Sequence, residues 1–93
     1  MSKNPLDLGC LRPFDMVARH RNLSRAATAL GMTQPALSYR IKQMEDLLGV
    51  RLFRRRPRGL ELTAEGEALQ GAVRVGLERL DEAVQSVCRR ART

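Results

Sequence analysis

Gly31 most constrains how this chain can fold, because it separates two short stretches that each carry helical periodicity. Before it, Ser24 is placed to cap a helix, its hydroxyl accepting from a free backbone N–H one turn in. Ala26, Ala27 and Leu30 then give a short apolar face. Gly31 stops that helix where a left-handed residue is wanted. Beyond it Thr33 can cap a second helix, and Pro35 falls in its first turn, where no N–H is needed. Leu37, Ile41, Met44 and Leu48 follow in a single stripe. This is the spacing of two helices that cross steeply and closely, with small Ala27 at the contact and Leu37 filling the gap. Placing the stripe inward turns Pro35, Tyr39, Lys42 and Gln43 outward, with Ser38 at the flank and Gln34 projecting from the N-terminal end. That face is polar, hydrogen-bonding and positive, as a helix entering a major groove should be. A plain helical hairpin with a solvated face is the alternative.

Charge separates the two readings. The 93 residues make one small domain with a formal net charge of +7. The excess is local: Arg51, Arg54, Arg55, Arg56 and Arg58 fall within eight positions that hold no acid, whereas residues 59–93 are nearly balanced. Such a cluster on a small domain suggests a polyanion, usually nucleic acid. Val50, Leu52 and Phe53 precede the arginines, and Leu60-Glu61-Leu62 follows Pro57 and Gly59, which predicts two short strands around a turn. A hairpin behind a helix-turn-helix is a wing. Its tip would carry Arg56 and Arg58, suited to phosphates or a narrow minor groove. A merely solubilising arginine loop is the bland counterpart.

The flanks complete the architecture. Residues 1–7 are polar and expected to fray. Asp7 can cap a first helix from about Leu8 to His20, with Leu11, Phe14, Val17 and Ala18 inward. Pro13 is awkward there, so the helix either begins nearer Leu11 or bends. At the other end Thr63 can cap a last helix, with Glu65 and Glu67 suited to its positive end. Its apolar positions are Leu69, Val73, Gly76, Leu80, Ala83 and Val87, widened by Leu77, Val84 and Cys88. A helix from about Ala64 to Arg90 would be roughly 40 Å long, more than so small a body can cover. The seam through Leu69, Val73, Gly76, Leu77, Leu80, Val84 and Val87 is therefore expected to meet a second copy. Folding back on the first helix, or leading into a further domain, are the alternatives.

Several function classes fall away. One histidine, no paired carboxylates in an apolar setting, no glycine-rich phosphate loop and no nucleophile elbow leave nothing for an enzyme. His20 suits the negative end of the first helix rather than a metal. Cys10 and Cys88 lack ligand spacing and are read as reduced packing residues, so no metal and no cofactor is expected. No apolar run reaches membrane-spanning length, and no signal-peptide core is present, so cytoplasmic residence is the default.

The ordered series of motifs resembles the N-terminal domain of LysR-type transcriptional regulators. Ser24-Arg25-Ala26-Ala27, Leu30 and Thr33-Gln34-Pro35-Ala36-Leu37-Ser38 carry the likeness. So do Ile41, Met44-Glu45, Leu48-Gly49-Val50-Arg51-Leu52-Phe53 with Arg55, and Leu62-Thr63-Ala64-Glu65-Gly66. The resemblance runs from about Leu8 to the end of the chain. It implies a mainly α fold: a winged helix-turn-helix of three helices and a two-stranded wing, then a long linker helix that pairs antiparallel in a dimer. The expected division is 1–62 for the DNA-binding body, with the helix-turn-helix at about 24–43 and the wing at about 51–62, and 63–93 for the linker helix. The resemblance places residues matching Gln34, Pro35, Ser38, Tyr39 and Arg40 at or near the major groove and Arg58 in the minor groove. It sets Ser24 and Arg25 near phosphate; Thr33 and Lys42 suit backbone contacts, and Arg55 and Arg56 join them from the wing. Family members usually carry a further C-terminal domain that senses a small molecule, so an isolated DNA-binding domain, an excised fragment, is expected here. In the bacterial cytoplasm it would associate with the nucleoid, as a homodimer or, in the full-length regulator, a tetramer.

The sequence departs from the family pattern in three places. Pro13 replaces a helix former, Asn22-Leu23-Ser24 replaces the commoner entry to the second helix, and Tyr39 stands where arginine is frequent. A protein adaptor working through the long helix, and a sequence-indifferent architectural protein, remain the rival readings.

Overall fold

The computed structural model describes residues 8–92. Its elements are a 3-10 turn at Leu8–Cys10, α1 at Leu11–His20, α2 at Leu23–Leu30, α3 at Gln34–Leu48, β1 at Phe53–Arg56, β2 at Gly59–Leu62 and α4 at Ala64–Ala91. The fold is mainly helical with one two-stranded antiparallel sheet, the winged helix-turn-helix anticipated above. The expected fraying of residues 1–7 and the Asp7 cap lie outside the described residues.

Proline settles where the first helix begins. The 3-10 turn leads in, α1 starts at Leu11, and Pro13 is its third residue, a position whose N–H has no partner within the helix anyway. Phe14, Val17 and Ala18 are buried, and Leu11 is half-buried. Arg21 ends α1 in the left-handed region at φ 52, its N–H donating to the Val17 carbonyl at 2.8 Å. For a residue with a Cβ this conformation costs about 1 kcal/mol.

The cap of α2 is a correction. Asn22, not Ser24, caps this helix: its side-chain oxygen accepts from the Arg25 N–H at 2.9 Å, and α2 already begins at Leu23. Asparagine is as good a cap as serine, and being two residues earlier it adds a half-turn that carries Ser24 inside the helix. Gly31 ends α2 at φ 67, and the Met32 N–H returns to the Ala27 carbonyl at 2.9 Å. Thr33 caps α3 as expected, accepting from the Ala36 N–H at 3.3 Å, with Pro35 in the first turn.

The core gathers Phe14, Val17, Ala26, Ala27, Leu37, Ile41 and Met44 with Leu52, Phe53 and Leu62. The Phe14 and Phe53 rings lie 5.6 Å apart, tilted by 48°, a favourable aromatic geometry that fastens the wing to α1. Strand register pairs Phe53 with Leu62 and Arg56 with Gly59, leaving Pro57 and Arg58 at the tip.

α4 is a 28-residue helix, about 42 Å long. Thr63 caps it, accepting from the Gly66 N–H at 3.0 Å while its hydroxyl donates to the Arg51 carbonyl at 2.6 Å. The helix divides at its middle, which corrects part of the expected seam. Val73 and Leu77 are buried in the chain's own core, and Leu69 packs half-buried against it, because the first half of α4 lies along α1. Arg12 on α1 marks the end of that contact with an ion pair to Asp81 at 2.8 Å. Leu80, Val84 and Val87 beyond it are 53 to 65% exposed, and Gly76 is open to solvent.

Candidate nucleic-acid interface

The outward face of α3 holds Gln34, Pro35, Tyr39, Lys42 and Gln43, all exposed, with Ser38 half-buried at its edge. Tyr39 stands 66% exposed, large for an aromatic ring, and has no partner among the described residues. Between this helix and the wing runs a cleft of about 560 Å³, which brings Ser38 and Lys42 of α3 to Arg55 of β1 and Leu60 of β2. The wing is therefore not a detached loop. It forms the second wall of a groove whose first wall is the helix-turn-helix.

Two tethers hold that wall in place. Glu45, on the inner side of α3, accepts from the backbone N–H groups of Leu52 at 2.7 Å and Phe53 at 3.2 Å, with the Arg51 guanidinium 3.7 Å away. On the other strand the Leu60 N–H donates to the Arg21 carbonyl at 3.0 Å. Position and angle of the wing are thus set from both α3 and the end of α1. Neither tether was foreseen. Glu45 could have been, because it follows Ile41 by four residues and so lies beside the buried stripe, where an acid needs donors.

The cations divide into free and engaged. Arg25, Lys42, Arg55 and Arg58 form no ion pair among the described residues. Arg56 does: its guanidinium donates to Glu61 across the hairpin at 3.0 Å. That hydrogen bond, reinforced by the opposite charge, holds the Glu61 carboxyl below the usual carboxylate range and raises Arg56 above its own. Arg40 points its guanidinium toward the Gly9 carbonyl at 3.4 Å, back along the body rather than out from it. Ser24 donates to the side-chain oxygen of Gln34 at 2.9 Å, so α2 and α3 meet at their N-termini through these two side chains. Replacing Glu61 by alanine, which removes both the charge and the acceptor, is expected to release Arg56. Binding to duplex DNA should then strengthen severalfold, and the slope of log affinity against log salt should steepen by about one. An unchanged slope in a fluorescence-anisotropy titration would place Arg56 outside the contact.

No helix among the described residues is long and apolar enough to cross a membrane, and no cluster of three metal-ligating side chains occurs among them. A sequence profile of bacterial regulatory helix-turn-helix proteins of the lysR family matches residues 8–67. The chain belongs to the lysR family. The glycine cleavage system transcriptional activator of Escherichia coli K12 is 45% identical over 87 residues, 94% of this chain and 28% of that protein. The transcriptional activator AmpR of Pseudomonas aeruginosa PAO1 is 51% identical over 69 residues, 74% of this chain and 23% of that protein. The chain thus spans about a quarter of the length of these two relatives. Among solved structures, the BenM DNA-binding domain with catB site 1 DNA superposes with a TM-score of 0.86 at 31% identity, covering 92% of this chain and 97% of that one. The CbnR DNA-binding domain in complex with DNA gives 0.80 at 32% identity, covering 92% and 99%. The chain is a winged helix-turn-helix domain of the LysR type.

Proposed function

We propose that this LysR-family domain binds double-stranded DNA sequence-specifically and serves a transcriptional regulator as its operator-reading part. The observation that carries the reading is the groove in which the polar face of α3 and the unpaired wing arginine Arg55 stand opposite one another. α3 lies in the major groove, with Gln34, Pro35, Ser38 and Tyr39 toward base edges and Thr33 and Lys42 toward phosphate. Arg58 at the hairpin tip enters the minor groove, and Arg25 meets the backbone beside α2. The engaged Arg40 and Arg56 are secondary contributors. The likeness to the BenM and CbnR domains, both solved with DNA, supports DNA binding.

Two copies read an interrupted palindrome, joined through the half of α4 that its own body leaves open. Leu80, Val84 and Val87 form that contact, with Gly76 permitting close approach; Leu69, Val73 and Leu77 brace it from inside the protomer. Residues 1–62 act as the reading body and 63–93 as the linker helix. In the full-length regulator, a tetramer, a small-molecule effector acts through a C-terminal domain rather than through these residues. The protein works in the bacterial cytoplasm, on the nucleoid.

Selection of bound sites from a randomised duplex pool tests the proposal, and two paired half-sites are expected. Gln34→Ala should lose about tenfold on the selected site and little on random duplex, since a good bidentate base contact contributes 1–3 kcal/mol of discrimination. Arg58→Ala should weaken binding on both and lower the salt slope by about one. A pool that returns no enriched sequence would exclude operator recognition and leave an architectural role.

A further inference from the structure

We propose that Ser24 is a positioning residue for base recognition: its hydroxyl fixes the polarity of the Gln34 amide so that the amide donors face the DNA. The inference rests on α3 reading the major groove, and it begins from the corrected cap. Because Asn22 satisfies the first turn of α2, the Ser24 hydroxyl has no capping duty. It donates instead to Oε1 of Gln34 at 2.9 Å, ten residues away on the next helix. Both residues start from helical backbone. The Ser24 carbonyl accepts from the Thr28 hydroxyl at 3.0 Å, and Gln34 is the first residue of α3, held by the Thr33 cap.

A lone glutamine has among the largest rotamer freedoms of any side chain, and its amide can present either an acceptor or a donor. With the serine hydroxyl on the oxygen, as in this structure, the amide is held in one orientation. Nε2, which has no partner among the described residues, becomes the outward group, and one lone pair of Oε1 remains. A donor so placed matches the N7 acceptor of a purine, and the remaining lone pair accepts from N6 when that purine is adenine. In open solvent the Ser24–Gln34 bond contributes little. In a groove closed by DNA, water leaves and the polarity of the amide governs which base edge fits.

The test uses the selected operator and the base pair whose preference Gln34→Ala abolishes. Its purine is exchanged for the 7-deaza analogue, which lacks the N7 acceptor. Wild-type protein should lose about tenfold on the modified duplex, Ser24→Ala less than about twofold, and Ser24→Thr, which keeps the hydroxyl, as much as wild type. Ser24→Ala should leave binding to random duplex and its salt slope unchanged, and should add nothing in a Gln34→Ala background. Equal losses for Ser24→Ala on every duplex, with a reduced salt slope, would instead make Ser24 a direct phosphate ligand and overturn the inference. So would full 7-deaza sensitivity in Ser24→Ala. A wild-type domain that binds no duplex at all overturns the function proposed above, a failure visible before any variant is measured.

Discussion

Gly66→Ala should lower the thermal midpoint by about 12 °C or more, although an alanine is usually the better helix former. A glycine inside an exposed helix costs about 1 kcal/mol relative to alanine, so propensity alone predicts a gain. Position 66 reverses the sign. A Cβ there would collide with the backbone carbonyl oxygen of Leu52 and crowd the Leu62 side chain. That carbonyl cannot swing aside, because it accepts from the Thr63 N–H at 3.0 Å. Relief requires the first turn of α4 to lift off Leu52 and Leu62, breaking the Thr63 cap and its bond to the Arg51 carbonyl. Overpacking together with a lost cap amounts to about 3 kcal/mol, and each kcal/mol shifts the midpoint of a domain this size by roughly 4–8 °C. Gly71→Ala is the control. Nothing lies within 4 Å of a Cβ at that site, so it should raise the midpoint by a few degrees. If both substitutions stabilise in differential scanning calorimetry, the close approach of α4 to Leu52 is not what holds this junction.

Glu45→Ala is expected to cost about 3 kcal/mol. Its carboxylate is nearly sheltered from water and accepts two backbone N–H groups in the connection from α3 to β1. Truncation leaves both donors without a partner, and each unsatisfied buried group costs about 1–3 kcal/mol. Glu45→Gln keeps one acceptor oxygen and should lose only about 1 kcal/mol. The functional consequence is separate from the stability loss. At a temperature where Glu45→Ala is still folded, amide exchange should accelerate at Leu52 and Phe53 and not at Leu37, because the wing loses its tether to α3 while the helix-turn-helix keeps its core. Equal acceleration at all three positions would mean that the carboxylate only contributes global stability.

These two residues also mark how far the amino-acid pattern could be read. The element order was legible because punctuation and periodicity agree. Gly31 and the Thr33 and Thr63 caps delimit helices whose apolar stripes are regular. Residue types with one common use, such as arginines around a Pro/Gly turn, marked the hairpin and its basic tip. What escaped depends on contacts between elements. The cap of α2 went to Ser24 because serine and asparagine are equivalent caps, and only the start of the helix decides between them. Arg21 adopts a left-handed backbone with no glycine to announce it. The α4 stripe looked uniform, yet whether Leu77 meets α1 or a second copy depends on where α1 ends, which no periodicity records. Arg56 counted as a free cation until its guanidinium was found to reach diagonally across the hairpin to Glu61, whose register partner is Arg54. The base-facing geometry was the least legible part, since it rests on a bond between Ser24 and Gln34 that neither residue predicts alone.

The hydrogen bond from Leu60 to the Arg21 carbonyl has a mechanical consequence for recognition. With the hairpin pinned to the first helix on one side and to the third on the other, the protomer acts as a pair of fixed callipers. Compliance must then come from the nucleic acid, whose stiffness varies from one dinucleotide step to the next. A domain of this construction ranks sequences partly by how cheaply they flex to its span, including steps that no side chain touches.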